Sequence, residues 1–290
     1  MDAVTLDFAA WPAPAKLNRM LRIVGRRADG YHLLQTVFQF LDRGDRLWFE
    51  ARDDGAIARH GEVVGVPPEA DLTVRAARLL QQATGTGRGA LIRIDKHLPM
   101  GGGLGGGSSD AATTLVALNH YWQTGLTLTE LAELGLRLGA DVPVFVHGRA
   151  AWAEGVGERL TPLDLDEPWF VVLAPTCHVA TGAVFNDSEL TRNSSLITIT
   201  DFMMGAGGND CEAVVYRRYP EVAAAASWLA RYGLARLTGT GACVFASFPS
   251  ADQARRVLDR LPPGWKGFVA RGRDRSPLHE RLTRAHAAFA

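Results

Sequence analysis

The chain has 290 residues, enough for one large domain or two domains of ordinary size. Hydrophobic residues make up 47% of it and charged residues 21%, which is typical of a folded globular protein and excludes a disordered chain. Lys plus Arg and Asp plus Glu both total 31, so the formal net charge is zero. This balance argues against a non-specific nucleic-acid-binding protein, which needs a surplus of positive charge.

Membrane and secreted proteins are also disfavoured. There is no run of about 18 apolar residues, so we expect no membrane span. The segment Met1–Phe8 carries two aspartates and no basic residue, so we expect no signal peptide. The cysteines lie far apart in the sequence, at Cys177, Cys211 and Cys243. An odd number of cysteines without disulfide spacing predicts reduced thiols and a cytoplasmic location.

The first half of the chain is predicted to contain strands followed by helices. Hydrophobic patterning predicts strands over Ala13–Val24, Leu33–Leu41, Arg46–Ala51 and Ala90–Ile94. The segment Asp42–Asp45, between the second and third of these, predicts a hairpin turn. Helical periodicity predicts helices over Asp71–Thr84, with Asp71 as its cap, over Ser108–Trp122, and from the capping box Thr127–Glu130 to Gly139.

A second set of alternating strands and helices is predicted beyond about residue 155. Strands are predicted over Trp169–Ala174, Arg236–Thr238, Ala242–Phe248 and Gly267–Arg271. Helices are predicted over Asp210–Tyr232 with a break near Pro220, Ala251–Leu261 and Pro277–Ala288, and a loop over Thr191–Gly208. We therefore predict an α+β protein with two domains, residues 1–155 and 156–290.

A glycine-rich segment connects a predicted strand to a predicted helix. Its residues are Pro99, Met100, Gly101, Gly102, Gly103, Leu104, Gly105, Gly106, Gly107, Ser108 and Ser109. Glycines let the backbone approach a ligand closely, and the start of the following helix attracts anions. The segment therefore predicts a phosphate-binding loop. Two familiar nucleotide motifs do not fit, because no lysine precedes Ser108 and the acidic residues about 20 positions on lie in a predicted helix.

Lysine is rare in this chain, with Lys16, Lys96 and Lys266 beside 28 arginines, since 31 − 3 = 28. Each lysine is a candidate for a site that requires a compact ammonium group, although all three could be incidental. Lys16 lies among apolar residues of a predicted strand, where an unpaired charge is costly. Asp141 similarly precedes an apolar run, and a turn or helix cap explains it equally well from local sequence.

Three segments together resemble the motifs of the GHMP kinase family. They are Pro14–Asn18, Pro99–Asp110 and Leu237–Cys243. Three further segments are similar to the branch of that family that acts on a cytidine diphosphate derivative. They are Gly25–Thr36, Gly139–Phe145 and Ala153–Gly157. The resemblance extends in order from about Trp11 to Leu282, which is nearly the whole chain.

This resemblance implies a two-domain α+β GHMP kinase fold. Its N-terminal half would be ribosomal-protein-like and its C-terminal half ferredoxin-like, with the active site in the cleft between them. The implied activity is transfer of the γ-phosphoryl group of ATP, bound with Mg²⁺, to the 2-hydroxyl of 4-diphosphocytidyl-2-C-methyl-D-erythritol. The implied partner is this small molecule, with no nucleic acid and no membrane, for a monomer or weak homodimer.

The resemblance also assigns roles to individual residues. Asp141 would accept the hydroxyl proton, with Lys16 stabilising its charge and the transferred group. The phosphate loop would bind ATP, with Lys96 on the nucleotide side. The segment supporting that loop would be Gly239, Thr240 and Gly241. The residues contacting the cytidine substrate would be Asn18, Tyr31, His32, Thr181 and Phe185.

Other functions have distinguishing features in the sequence. GHMP kinases for homoserine, mevalonate or galactose share the three motifs but not Gly30–His32. An inert nucleotide-binding or RNA-binding relative would be expected to lack Lys16 or Asp141, and both are present. No metal site is predicted, because Cys177, His178 and His147 lack ligand spacing. Asp71 departs from the family pattern, which more usually has Asn at this position.

Overall fold

The computed structural model describes residues 9–63 and 65–289. The segment Met1–Phe8, for which no signal peptide is predicted, lies outside these residues. The strands are β1 (Trp11–Arg26), β2 (His32–Arg52), β3 (Ile57–His60), β4 (Gly89–Asp95), β5 (Ala151–Gly155), β6 (Arg159–Pro162), β7 (Trp169–Leu173), β8 (Arg236–Leu237), β9 (Val244–Phe248) and β10 (Gly267–Arg273).

Helices cover the sheet that these strands form. They are α1 (Leu72–Thr84), α2 (Gly106–Trp122), α3 (Leu128–Leu136), α4 (Val142–His147), α5 (Thr181–Phe185), α6 (Ile199–Met203), α7 (Glu212–Arg218), α8 (Pro220–Leu229), α9 (Ala251–Leu258) and α10 (Pro277–Phe289). Within the described ranges, none of these helices has the length and apolar character needed to cross a membrane.

The α+β class predicted from the sequence is confirmed. The strands follow the order β3-β4-β2-β10-β7-β9-β8, while β1 and β5 pair with β2, and β6 pairs with β5. Strand β10 joins the two halves of the molecule, because it pairs with β7 along most of its length and with β2 at its end. The domain boundary after residue 155 stays a prediction; β6 pairs with β5 across it.

Strand β2 corrects one sequence prediction. The segment Asp42–Asp45 is not a hairpin turn but part of a continuous strand that runs along β1. Gly44 lies opposite Pro14, and a Cβ atom on Gly44 would come within 2.1 Å of the carbonyl oxygen of Ala13. The glycine therefore permits a close approach of two strands rather than a reversal of the chain.

Buried apolar residues form a core in each half and a third cluster between the halves. The first core contains Trp11, Phe40 and Phe145, and the C-terminal helix α10 returns to it with Leu278. The third cluster joins Leu104, beside the glycine-rich loop, to the β7–β9–β10 side of the sheet. Burial of these apolar surfaces fixes the relative position of the halves and therefore the shape of the cleft between them.

Local capping signals were predicted well. Asp71 accepts a hydrogen bond from the Thr73 amide at the start of α1, and Thr127 and Glu130 form the expected capping box of α3. The predicted break at Pro220 separates α7 from α8. The prediction of a loop over Thr191–Gly208 was partly wrong, because α6 lies within it with a capping box of its own.

Candidate active site

A cleft of about 660 Å³ lies where the two halves meet. The glycine-rich loop 99–109 forms its floor together with the start of β1. The beginning of α4, which carries Asp141, and the segment around Gly239 close its sides. Residues far apart in the sequence therefore meet in one concave site.

The glycine-rich loop is held against the segment 238–243. Backbone amides of Ala242 and Cys243 donate to the carbonyl oxygens of Gly101 and Gly102, at 3.2 and 3.1 Å. A Cβ atom on Gly103 would lie 2.1 Å from the carbonyl oxygen of Thr238, so no other residue fits there. The loop then enters α2, whose N-terminal end carries partial positive charge and faces the cleft.

Lys16 and Asp141 form a buried ion pair in this cleft. The Lys16 Nζ atom lies 3.2 Å from Asp141 Oδ2, and the Lys16 side chain is only 4% exposed while that of Asp141 is 34% exposed. Lys16 Nζ also donates to Asn18 Oδ1 at 2.5 Å and to the Gly103 carbonyl oxygen at 3.1 Å. The three donor positions of the ammonium group are thus used, and Asp141 keeps its accessible side toward the cleft.

Asn18 is held in turn by two threonine hydroxyls. Its Nδ2 donates to Thr36 Oγ1 at 2.8 Å, and its backbone amide donates to Thr238 Oγ1 at 3.0 Å. Thr238 Oγ1 then donates to the Gly103 carbonyl oxygen at 3.2 Å. These bonds connect β1, β2, the glycine-rich loop and the segment after β8, so the site is built from all three sequence motifs.

Lys96 is the centre of a second charged cluster. Its Nζ atom pairs with the carboxylates of Asp45 and Asp110, both of which are buried. Asp45 Oδ1 also accepts the backbone amides of His97 and Leu98, at 2.6 and 2.8 Å. Burial alone would lower the pKa of Lys96, but the two carboxylates raise it above its ordinary value.

Asp110 is the unusual member of that cluster. Burial raises the pKa of its carboxyl group to about 7, although the charge of Lys96 opposes this shift. Its Oδ1 atom and the hydroxyl oxygen of Ser109 are buried without a hydrogen-bond partner among the residues that the structure describes. Asp110 lines the cleft, whereas Ser109 is completely buried.

An apolar wall borders the Lys96 side of the cleft. It is formed by Val63, Val66, Leu72, Ile94 and Met100. Asp71 lies at its edge. Its carboxylate caps α1 and pairs with the buried guanidinium of Arg59 at 2.5 Å. Arg59 also donates to the carbonyl oxygen of Val66 at 3.1 Å, so this pair fixes the wall.

Phe185, Thr181 and Thr240 line the opposite end of the cleft, and His32 lies behind Phe185. The ring of His32 stacks on Phe185, with centroids 4.9 Å apart and an interplanar angle of 25°. Thr181 Oγ1 lies 2.9 Å from Thr240 Oγ1, which brings α5 to the segment after β8. Tyr31, adjacent to His32, is 63% exposed. This end therefore offers flat apolar faces with polar atoms beside them, as a nucleobase requires.

The structure brings most of the predicted site residues into one cleft. The predicted residues that line it are Lys16, Asn18, Lys96, Pro99, Met100, Gly101, Gly102, Gly103, Leu104, Gly105, Gly106, Gly107, Ser108, Asp141, Thr181, Phe185, Gly239 and Thr240. Four others do not line it, namely Tyr31, His32, Ser109 and Gly241. His32 stands behind Phe185, and Gly241 is buried under the glycine-rich loop.

Sequence reasoning missed several residues that support the site. They are Thr36, Asp45, Asp110, Arg192 and Asn209. Asn209 Nδ2 donates to the carbonyl oxygens of Leu237 and Gly239, at 2.9 and 2.8 Å, and so holds the third motif. Asp110 directly follows the glycine-rich loop, which is a signal that could have drawn attention to it; the others act through long-range contacts that a single sequence does not show.

Two family models match the chain. The model of the GHMP kinases N terminal domain matches residues 71–149, and that of the GHMP kinases C terminal matches residues 189–266. A relative from Halorhodospira halophila is 56% identical over 285 residues, covering 97% of this chain and 98% of the relative. A relative from Alkalilimnicola ehrlichii is 61% identical over 272 residues, covering 94% of each. Both relatives are named 4-diphosphocytidyl-2-C-methyl-D-erythritol kinase.

Solved structures agree with these relatives. A crystal structure of 4-(cytidine 5'-diphospho)-2C-methyl-D-erythritol kinase superposes with a TM-score of 0.79 at 33% identity, covering 91% of this chain and 99% of that one. A crystal structure of mevalonate kinase superposes with a TM-score of 0.66 at 14% identity, covering the same shares. The second match shows a shared fold alone.

Proposed function

Since the chain belongs to the 4-diphosphocytidyl-2-C-methyl-D-erythritol kinases of the GHMP kinase family, we propose that it phosphorylates the 2-hydroxyl of that cytidine substrate with ATP. The reaction belongs to the non-mevalonate route to isoprenoid precursors. The observation that supports the proposal most directly is the Lys16–Asp141 ion pair. This pair contacts the glycine-rich loop through the hydrogen bond from Lys16 Nζ to the Gly103 carbonyl oxygen. It places a carboxylate and an ammonium group where the phosphate loop and the acceptor end of the cleft meet.

The nucleotide occupies the loop side of the cleft. The glycine-rich loop and the N-terminal end of α2 bind the phosphates, and the apolar wall beside Lys96 receives the base. Among the described residues, no group of three or more His, Cys, Asp or Glu side chains forms a metal cage. This arrangement fits a Mg²⁺ ion held mainly by ATP phosphates and water, with the Ser108 hydroxyl within the loop. When bound, Mg²⁺ neutralises charge on the phosphate oxygens.

Asp141 accepts the proton of the substrate hydroxyl. Phosphoryl transfer depends mainly on positioning and charge stabilisation, with a carboxylate to orient and deprotonate the nucleophile. The 34% exposed side chain of Asp141 can reach the substrate, while Lys16 remains buried against it. The Lys16 ammonium stabilises the carboxylate and the transferred phosphoryl group, and Asn18 orients the hydroxyl.

The aromatic end of the cleft holds the cytidine part of the substrate. Phe185 lines the cleft, His32 stacks on it, and the exposed Tyr31 precedes His32 in the chain, so we expect these three residues to bind the cytosine base by stacking and polar contacts. Thr181 and Thr240 line the same cleft with their hydroxyl oxygens 2.9 Å apart, and we expect them to contact the diphosphate. A cytoplasmic location and a monomer or weak homodimer stay predictions.

The test is release of ADP with Mg-ATP and each of four acceptors. These are 4-diphosphocytidyl-2-C-methyl-D-erythritol, mevalonate, homoserine and galactose, with wild-type protein and the Asp141→Asn variant. We expect turnover with the cytidine substrate alone, and its loss in the variant. Turnover with another acceptor would instead assign a different GHMP kinase activity. ATP binding without turnover of any acceptor would indicate an inert nucleotide-binding relative.

A further inference from the structure

A second cavity, of about 450 Å³, is bordered by residues of β1, β7, β8 and β9. Among the described residues, none lines both this cavity and the cleft. Adjacent residues of β1 belong to different sites, since Asn18 lines the cleft and Arg19 lines the second cavity. The pairing of β1 with β2 is irregular between Asn18 and Met20, which leaves Arg19 without a direct partner on β2. A ligand in this cavity would therefore not occupy the nucleotide or substrate positions proposed above.

Two arginines line this cavity, and both have hydrogen-bonding capacity left. Arg19 Nη1 donates to Gln39 Oε1 at 2.6 Å and lies 3.4 Å from Asp166 Oδ1. No described residue accepts a hydrogen bond from Nε or Nη2 of Arg19. Arg236 begins β8 and forms no hydrogen bond or ion pair within the described ranges, although the charge of Glu212 acts on it. Guanidinium donors therefore remain for a ligand.

The charges around the cavity are not balanced. Asp166 is the acidic side chain among the described lining residues, and it is 72% exposed, so solvent weakens its pairing with Arg19. Burial lowers the pKa of the Arg19 guanidinium; Asp166 opposes this shift, whereas the charge of Arg236 lowers the pKa further. The two guanidinium groups therefore repel each other, and an anion between them would remove that repulsion.

Apolar side chains form most of the remaining lining. They are Leu165, Phe170, Phe202, Met203, Leu234 and Phe245. The buried rings of Phe170 and Phe245 meet edge to face, with centroids 5.7 Å apart. Met203 and Leu234, in contrast, are 56% and 70% exposed. Exposed apolar side chains that are grouped beside charged ones are typical of a binding surface.

We propose that this cavity is a second ligand site, which binds a phosphate or diphosphate group carried on a short apolar chain. The anionic group lies between Arg19 and Arg236, and the apolar chain lies against Phe170, Phe245 and Leu234. A phosphate monoester suits two arginines, because it carries about two negative charges at neutral pH and has three acceptor oxygens. The volume of the cavity is within the range of small-molecule sites.

Methionine methyl groups can show which cavity a ligand occupies. Of the five methionines, Met203 lines the second cavity and Met100 lines the cleft. ¹³C-methyl-methionine NMR spectra are recorded with n-octyl phosphate, below its micelle concentration, and with Mg-ADP; Met203→Leu and Met100→Leu identify the two signals. We expect octyl phosphate to shift the Met203 signal even when Mg-ADP is saturating. An unchanged Met203 signal, or a shift that Mg-ADP abolishes, would overturn the proposal.

The variant Arg236→Gln tests the anionic part of the site. Because Arg236 forms no hydrogen bond with a described residue, we expect the variant to fold and its Kd for octyl phosphate to rise about 10- to 100-fold, the loss of a charged hydrogen bond. Arg236→Lys should recover part of the affinity. Arg22→Gln is the matched control, since Arg22 lies on the same strand as Arg19 but donates to the Ser195 carbonyl oxygen, outside the cavity. Equal Kd values in all four proteins would contradict the proposal.

The variant Leu234→Ser tests the apolar part. We expect it to raise Kd for octyl phosphate roughly three- to tenfold and to leave Kd for inorganic phosphate unchanged. Leu196→Ser is the matched control, because Leu196 is 69% exposed, close to the 70% of Leu234, and does not line the cavity. If inorganic phosphate binds as tightly as octyl phosphate, the proposed apolar chain is wrong. Dimers that dissociate in Leu234→Ser and do not bind octyl phosphate would show that a second copy of this chain covers the surface.

This inference and the proposed function can fail separately. None of these binding measurements requires turnover. A protein that does not bind Mg-ADP or phosphorylate the cytidine substrate would contradict the proposed function, while the Met203 signal would still decide whether the second site exists. An active protein whose Met203 signal ignores octyl phosphate would contradict this inference alone.

Discussion

Two lysines of the cleft, the buried Lys16 and the partly exposed Lys96, are held by carboxylates in different ways. Lys16 pairs with the single carboxylate of Asp141, which stays partly exposed toward the cleft. Lys96 pairs with two carboxylates, Asp45 and Asp110, whose side chains are 0% and 6% exposed. The first pair leaves the Asp141 carboxylate accessible from the cleft, whereas in the second Lys96 Nζ bridges two buried carboxylates. Similar residue types therefore form a pair that is accessible from the cleft in one region and a more deeply buried cluster in the other.

The charges of the two regions differ as well. The Lys16 pair is neutral overall, and amide and carbonyl oxygens occupy the other donor positions of the ammonium group. The Lys96 cluster would carry a net negative charge in a buried site if both aspartates were ionised. Because such a charge is costly to bury, Asp110 titrates near neutral pH.

The largest effect is expected for Asp141→Asn. The amide keeps the size of the side chain but cannot accept the hydroxyl proton, so kcat should fall about 10²–10⁴-fold. Saturating assays of ADP release measure this. Asp166→Asn is the control, because the Asp166 side chain is 72% exposed and pairs only with Arg19, at 3.4 Å, within the described ranges. Near-wild-type turnover of Asp141→Asn would show that Asp141 is not the base.

Lys16→Arg should have the next largest effect. A planar guanidinium cannot occupy the site of a compact ammonium between Asn18 Oδ1 and the Gly103 carbonyl oxygen. The displacement of the loop and of Asp141 should lower kcat by roughly 10²-fold. The same substitution at the exposed Lys266 is the matched control and should leave kcat unchanged. Full activity of Lys16→Arg would remove the distinction between the two lysines.

Lys96→Met should affect stability more than turnover. It leaves the buried Asp45 and Asp110 carboxyl groups without a cation, which should lower the free energy of unfolding by roughly 3–5 kcal/mol. Urea unfolding measures this change. KM for ATP should rise roughly tenfold through the loss of one charged contact, while kcat stays near its wild-type value.

A second substitution separates charge from packing in that variant. Adding Asp110→Asn to Lys96→Met removes one of the two unpaired carboxylates and should restore part of the lost stability. If the double variant is less stable than Lys96→Met, the cluster contributes through packing rather than charge. A large fall in kcat would place Lys96 with Lys16 in the transfer step.

The sequence indicated both lysines but only part of their surroundings. The scarcity of lysine and the apolar neighbours of Lys16 were visible in one chain, as were the glycines of the phosphate loop. Asp45 was assigned to a hairpin turn, because the neighbouring Gly44 is typical of turns. Asp45 is buried in strand β2, where it lies opposite Ala13, some 30 positions earlier in the chain, and no local pattern records that contact.

The same contrast holds for the fold. Helices α1 and α3 were predicted correctly because their caps are local hydrogen bonds between residues two or three positions apart. The short helices α4 and α5, which carry Asp141 and Phe185 into the cleft, were missed. Helices of five or six residues have little periodicity of their own, and they form because the surrounding elements bury them.

The smallest effect expected is a change in how stability depends on pH. The pKa of Asp110 is about 7 in the folded protein, above its ordinary value of 3.8, so the folded state binds this proton more tightly than the unfolded state. The stabilisation is complete below about pH 4 and is lost as the pH rises through about 7. Asp110→Asn should remove this loss and flatten the decline in unfolding free energy between pH 5 and pH 8.

Asp54→Asn is the control for this measurement, because the pKa of Asp54 is shifted downward whereas that of Asp110 is shifted upward. A hydrogen bond from Arg52 lowers the pKa of Asp54 to about 2, so its contribution to stability is constant from pH 5 to pH 8. Urea unfolding of the three proteins at each pH should give parallel curves for wild type and Asp54→Asn, and a flatter one for Asp110→Asn. Three parallel curves would mean that Asp110 remains ionised beside Lys96, and the two lysine regions would then differ in geometry but not in protonation.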